Sequence, residues 1–378
     1  MRDIFTLKRK WILLLLPISV LIICICKTFP FVAEYVFARG IYRALAITLG
    51  LITRWFPFSV AEICIYLIPF AVVFFLGRLI YKIIKAKEKR VVILCKGILN
   101  LFCVISIGIF AFVLLCGTNY YRYRFETYLD YKVEEYTKTD LYELCDYLVD
   151  KVNVSRENVL VDKDGIMKSS YEDTGELLEV AGQVMHDFAK NYPSLRYSTG
   201  EVKPVLASRA MSYTETVGIY IPFTMEANIN IDTVYYNQPV DAIHELAHLR
   251  GVMPEDEANY VAYLACISSD EADFVYSGYM LAYLYASDQL YGEDIELYKK
   301  IRSKLSDGVK ADLKANNIYW KQFDTPTGNK IAKASNKLNN TYLNINGQEE
   351  GTKSYGMVVD LLIAEYKEKV DEDNKQNN

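Results

Sequence analysis

Histidine is scarce in this chain: three occur in 378 residues, His186, His244 and His248. No Cys-x-x-Cys pair is present, which excludes zinc ribbons and thioredoxin-like redox motifs. The Gly-rich phosphate loops are missing as well, so nucleotide binding through them is not expected. No Gly-x-Ser-x-Gly occurs, and Ser-His-Asp chemistry is not suggested. Acid is nearly absent from the first third of the chain. Residues 1–116 hold 15 Lys/Arg against 4 Asp/Glu, a net of +11, while residues 117–378 hold 27 against 43, a net of −16. A single soluble globule, a disordered chain and a nucleic-acid binder with a basic main domain are all excluded by that division. A basic membrane anchor (1–119), joined to an acidic globular domain (120–370) and closed by a disordered polar tail (371–378), is the expected organisation.

Apolar runs fill the first part. Trp11–Cys26 is free of charge over 16 residues, just under the roughly 20 that a spanning helix needs, and flanking lysines can snorkel. Further runs follow, so three transmembrane helices are expected, at about 11–27, 60–80 and 93–117. The segment at about 30–56 carries Glu34, Arg39, Arg43 and Arg54 and ends in Trp55, Phe56 and Phe58. It reads as interfacial or re-entrant, with aromatics at headgroup level. No small-residue cleavage site follows Cys26, so the first run is a signal anchor and not a cleaved leader. Basic clusters lie at 2–10 and 82–90. The positive-inside rule puts both in the cytoplasm, and three spans then make the acidic domain extracytoplasmic in a multi-pass cell-membrane protein. Six of eight cysteines lie in or beside apolar runs. Cys145 and Cys266 are the two in the acidic domain, either as buried thiols or as one disulfide.

The acidic domain reads as α+β, mainly helical with a small sheet. Helices are expected at 120–160 and about 172–191. Short β-branched runs follow at Val202–Leu206, Val217–Phe223 and Ala227–Ile231. Pro222 marks its run as an edge strand or a strand end. Pro239 opens a helix with Asn237 as cap, Gly251 ends it, and Pro254 starts another. Helices continue over 270–291 and 292–316. The stretch 325–352 reads as loop with a short helix, and a last helix covers about 355–369.

The chemistry is concentrated at His244-Glu-Leu-Ala-His248. On a helix, residues i and i+4 share a face, so two imidazoles can ligate one tetrahedral zinc. Glu245, roughly 100° around the helix, can reach a water on that metal and take its proton. By chance the pattern would appear in a chain of this length with probability about 0.01. A third histidine six residues beyond His248 would make a metzincin, but position 254 is Pro. A carboxylate is the natural third ligand, and Glu255 and Glu257 both open the next helix. Glu255 shares its side with small residues (Ala258, Ala262, Cys266) and with Asn259, whose amide can hold a ligating imidazole. Glu257 remains the alternative. An acidic first turn also complements a helix dipole, and one of the two carboxylates need do no more than that.

His-Glu-Leu-Ala-His…Gly…Glu-Asp-Glu-Ala-Asn resembles the gluzincin kind of zincin metallopeptidase, in which a Glu is the third ligand. Glu255 and Asn259 match the Glu-x-x-x-Asp/Asn of that pattern, and the short spacing between His248 and Glu255 departs from it. The whole layout also looks like an uncharacterised bacterial family of membrane proteins carrying a domain of unknown function. That family has N-terminal spans, then a segment like Gly218-Ile-Tyr-Ile-Pro-Phe-Thr-Met-Glu-Ala-Asn228, then the His-Glu-x-x-His helix. The resemblance implies a zincin-like domain with one Zn2+ per chain on His244, His248 and Glu255, and Glu245 as general base. It implies a peptide or protein substrate, with an edge strand binding substrate backbone. Tyr355, Tyr279, Arg250 and His186 are candidates for a transition-state donor. The partners expected are that substrate and the lipid bilayer, with no nucleic acid and no nucleotide. The alternative is a zinc-binding sensor or scaffold that never turns over. A transporter is disfavoured, since Glu62 sits near the end of its span.

Overall fold

The computed structural model describes residues 8–86, 88–197, 200–346, 348 and 355–376. It divides into two units, one of Met1–Tyr123 with Ile221–Met225 and the other of Arg124–Tyr220 with Glu226–Asn378.

In the first unit four helices are long and apolar enough to cross a membrane: α1 (Lys8–Thr28), α2 (Pro30–Thr53), α3 (Val60–Lys85) and α4 (Arg90–Leu115). Three of them cover the expected spans. The stretch expected as interfacial is one 24-residue helix that meets the same criteria of length and hydropathy. Its one acid is paired. Glu34 is fully buried, and its carboxylate accepts from Arg39 Nε at 2.6 Å and Arg122 Nε at 2.9 Å. A buried carboxylate held by two guanidiniums avoids the cost of an unpaired charge.

The second unit is mostly helical. Its elements are α5 (Lys138–Arg156), α6 (Thr174–Ala189), β1 (Val202–Pro204), α7 (Ser208–Tyr213), β2 (Gly218–Ile221), β3 (Glu226–Ile229), α8 (Gln238–Leu249), α9 (Glu255–Ile267), α10 (Ala272–Glu293), α11 (Ile295–Ser303), α12 (Asp307–Lys321), α13 (Pro326–Ile345) and α14 (Tyr355–Gln376). The sheet has three strands in the order β1-β3-β2. β1 pairs with β3 in parallel, Val202 opposite Ala227 and Pro204 opposite Ile229. β2 and β3 are joined by four residues, a connection short enough only for antiparallel strands. Strand β2 stops at Ile221, where Pro222 withdraws its amide, and it is an edge strand as expected.

Several local expectations change. The stretch 120–137 is 3-10 turns and loop, and regular helix begins at Lys138 behind a Thr137–Asp140 capping box. The stretch 325–352 was expected as loop with a short helix, and Pro326–Ile345 is a 20-residue helix. Thr325 caps it, and its Asn and Thr residues lie mostly on exposed faces. The last helix runs through Gln376 and takes in the first six residues of the expected tail, whose final residues 377–378 lie outside the described ones. Cys145 and Cys266 are buried free thiols.

The core sits around α8. This helix packs against α6, α9, α10 and β3. Ala242, Ile243, Leu246, Ala247 and Leu249 are all buried. Each large aliphatic side chain contributes roughly 1.5–3 kcal/mol on burial, which holds the helix rigidly enough to carry a site.

Candidate metal centre

Helix α8 starts at Gln238 with Pro239 in its first turn, where the missing amide costs nothing. Asn237 does not cap it with its side chain, as the sequence suggested, and donates instead to Asn316 Oδ1 at 3.1 Å. The C-terminal end has the larger consequence. Gly251 takes a φ of 82°, a left-handed conformation that favours glycine. Its amide bonds to the His248 carbonyl at 2.9 Å, and Val252 N bonds to the Ala247 carbonyl at 3.1 Å. The chain therefore folds back over the last turn. The Val252 carbonyl arrives 2.7 Å from His248 Nδ1 and accepts its hydrogen. That bond fixes the tautomer and leaves Nε2 as a free lone pair. Asn259, expected in this role, does not take it.

Pro254 is the cap of α9, so Glu255 is its first residue. The Glu255 carboxylate lies 3.3 Å from His244 Nε2 and 3.7 Å from His248 Nε2. One ligand atom from each of the three residues falls within 4.8 Å of the others. The two imidazoles stand at 89° with ring centres 4.6 Å apart. His244 and Glu255 keep 16% and 28% of their side-chain surface, so the cluster is reached from one side. These three residues are the group that can hold a metal ion among the described residues.

Glu257 points elsewhere. Its carboxylate is ion-paired to Arg124 Nε at 2.6 Å and accepts from Phe125 N at 3.1 Å. Asp256 also pairs with Arg124. Of three consecutive acids, two share one guanidinium and the third faces the histidines.

Glu245 is 4% exposed, and its Oε2 has no hydrogen-bond partner among the described residues. Burial pushes its carboxyl up to about 8, against the opposing charge of His244. Strand β2 lies directly over it. A Cβ on Gly218 would come within 2.6 Å of Glu245 Cγ, so only glycine fits. Tyr220, two residues along β2, has its ring centre 6.5 Å from that of His248. One turn before His244, Asp241 Oδ2 is another buried oxygen with no partner among the described residues, and burial raises that carboxyl to about 7.

The ligand candidates perturb one another. Burial opposes charge on His244, but the bond to Glu255 and the surrounding carboxylates outweigh it and lift the imidazole to about 9. Burial would raise Glu255, yet the two histidines hold it down to about 2. Burial lowers His248 to about 4, with Glu255 opposing. The cluster thus favours the charged form of Glu255 and pushes the two imidazoles in opposite directions.

Three of the four donor candidates are held elsewhere. Arg250 is buried and donates to the carbonyls of Leu195 at 2.5 Å and Tyr197 at 2.6 Å, a clamp on a loop. Tyr279 packs against Tyr263. His186 is exposed on α6. The Tyr355 side chain lies outside the described residues. Sequence reasoning missed Gly218, Arg124 and the Val252 carbonyl. A glycine inside a β-branched run was the one signal available for Gly218. Nothing in the sequence pointed to the other two.

Fold and site together define a mostly helical protein with apolar N-terminal helices and a His-His-Glu cluster on two successive helices. The chain belongs to a family of proteins of unknown function, DUF3810, whose profile matches residues 37–363. No curated protein and no solved structure matches it.

Proposed function

We propose that the chain is a membrane-anchored zinc metallopeptidase. The observation that carries the reading is the convergence of His244 Nε2, His248 Nε2 and the Glu255 carboxylate beside an unpartnered Glu245 oxygen. Tetrahedral ligands about 2.0–2.1 Å from a zinc ion stand roughly 3.4 Å apart. The separations of 3.3 and 3.7 Å lie close to that value, and two neutral nitrogens with one carboxylate is a donor set that zinc favours. A zinc ion held there supplies Lewis acidity toward water and toward a peptide carbonyl.

The remaining work belongs to the protein's own groups. Glu245 Oε2 takes a proton from the attacking water and returns it to the leaving amine nitrogen. One residue from His244 and roughly 100° around the helix, this carboxylate is placed to reach a water on a metal held there. The Val252 carbonyl keeps His248 oriented. β2, as an edge strand, is the element an extended peptide would pair with. Glu245→Gln is the test: it preserves the metal site and lowers peptide hydrolysis by about 10²–10⁴-fold. Undiminished hydrolysis in that variant removes Glu245 from the mechanism.

A second reading is a metal-binding sensor or scaffold without turnover. The burial of Glu245 beneath Gly218 favours it, since substrate water must reach that carboxylate. Wild-type cellular function in the Glu245→Gln strain supports this reading over the first.

The location follows from charge. The basic clusters at 2–10 and 82–90 share one side of the membrane if α1 and α3 cross and α2 does not. Crossing by α4 then puts the second unit outside the cytoplasm.

A further inference from the structure

Helix α13 carries an apolar stripe that the protein leaves uncovered. Ile331, Leu338 and Ile345 are 39%, 73% and 75% exposed. At 100° per residue these three fall within about 40° of one another on the helix. The packed face is a different one. Ala332 and Leu343 are buried, and the helix meets α7. α13 thus has two apolar faces, one turned inward and one turned to solvent. A surface helix in a soluble domain ordinarily has only the first.

Charge adds a second, independent observation. Residues 326–345 contain Lys330, Lys333 and Lys337 and no Asp or Glu. They lie in a region, 117–378, where acids outnumber bases 43 to 27. All three lysines are exposed. The helical period places them together beside the apolar stripe, on the side away from Ala332 and Leu343. An exposed apolar stripe with a lysine flank and no acid is the pattern of a helix that lies in a membrane interface. Lysines beside such a stripe are drawn to anionic headgroups.

We propose that α13 docks on an anionic bilayer surface, with Ile331, Leu338 and Ile345 among the acyl chains and Lys330, Lys333 and Lys337 at the headgroups. The occupant is the bilayer because the same chain carries four helices apolar enough to enter one. Tethering raises the effective concentration of the surface, so a short stripe suffices. The proposal is independent of the metal centre and its chemistry.

The test uses the full chain reconstituted in phosphatidylcholine vesicles, with and without phosphatidylglycerol, some containing brominated acyl chains. L338W supplies a reporter, read as the difference from the unsubstituted protein. In vesicles with phosphatidylglycerol the indole emission shifts to the blue, and bromination quenches it by about twofold or more. K330Q/K333Q/K337Q abolishes both effects, as does about 1 M salt, where charges are screened within roughly 3 Å. Water-like emission in every vesicle overturns the proposal. So does a blue shift that ignores bromine and grows with protein density, since that reports a second copy or another protein on the stripe. Hydrogen exchange of residues 326–345 in the unsubstituted protein provides a check free of mutation. Slower exchange with phosphatidylglycerol is expected, and equal rates overturn the proposal.

Discussion

Gly218 has no side chain, and this allows β2 to lie against the Glu245 carboxylate. Gly218→Ala forces that carboxylate to move while leaving His244, His248 and Glu255 untouched. The expected result is hydrolysis reduced at least about tenfold with zinc content unchanged, and a stability loss of about 1–3 kcal/mol from overpacking. Steady-state kinetics, metal analysis and urea unfolding check the three parts. The histidines and Glu245 were legible in the sequence because an i, i+4 pair in a His-poor chain has a single geometric meaning on a helix. The carboxylate that joins the histidines was legible only as a choice between Glu255 and Glu257. The contact that separates them, Arg124 on Glu257, spans more than a hundred residues, and no local pattern encodes it. Asn259 was expected to hold a ligating imidazole, and the Val252 carbonyl holds His248 instead. A backbone carbonyl leaves no mark in the sequence.

At the scale of the element, the first turn of α9 brings together three acids and one arginine. Asp256 is fully buried, so the loss of Arg124 strands a charge. Breaking a buried pair costs about 3–5 kcal/mol, and the one-third exposure of Arg124 lowers the expected cost of Arg124→Ala to about 2–3 kcal/mol. Urea unfolding measures it, and Arg124→Lys recovers part, since an ammonium keeps the charge but not the fork. The loop from Leu249 to Glu255 was better encoded. Gly251 and Pro254 mark where α8 ends and α9 begins, and both boundaries fall as expected. α13 was missed because Asn, Thr, Ser and Gly dominate its composition. Those residues favour turns when judged singly, while the Thr325 cap and the spaced apolar residues favour helix.

Over the whole molecule, the division into a basic apolar part and an acidic helical part is written in the charge alone. The number of crossings is not. α2 meets the length and hydropathy of a span, and its acid is neutralised by Arg122, some ninety residues away in sequence. Charge bias favours a second unit outside the cytoplasm, and fusions at the C-terminus test it. Alkaline phosphatase there is active and green fluorescent protein dark if α2 does not cross; the reverse pattern means that all four helices do.

The central claim is that His244, His248 and Glu255 hold one metal ion. Zinc content of the purified full chain tests it most directly, beside H244A/H248A, E255A, E257Q and E245Q. The account predicts about one zinc per chain in the unsubstituted protein and in E245Q and E257Q, and loss in the other two. Zinc that is absent from the folded wild type, or that survives H244A/H248A, contradicts it.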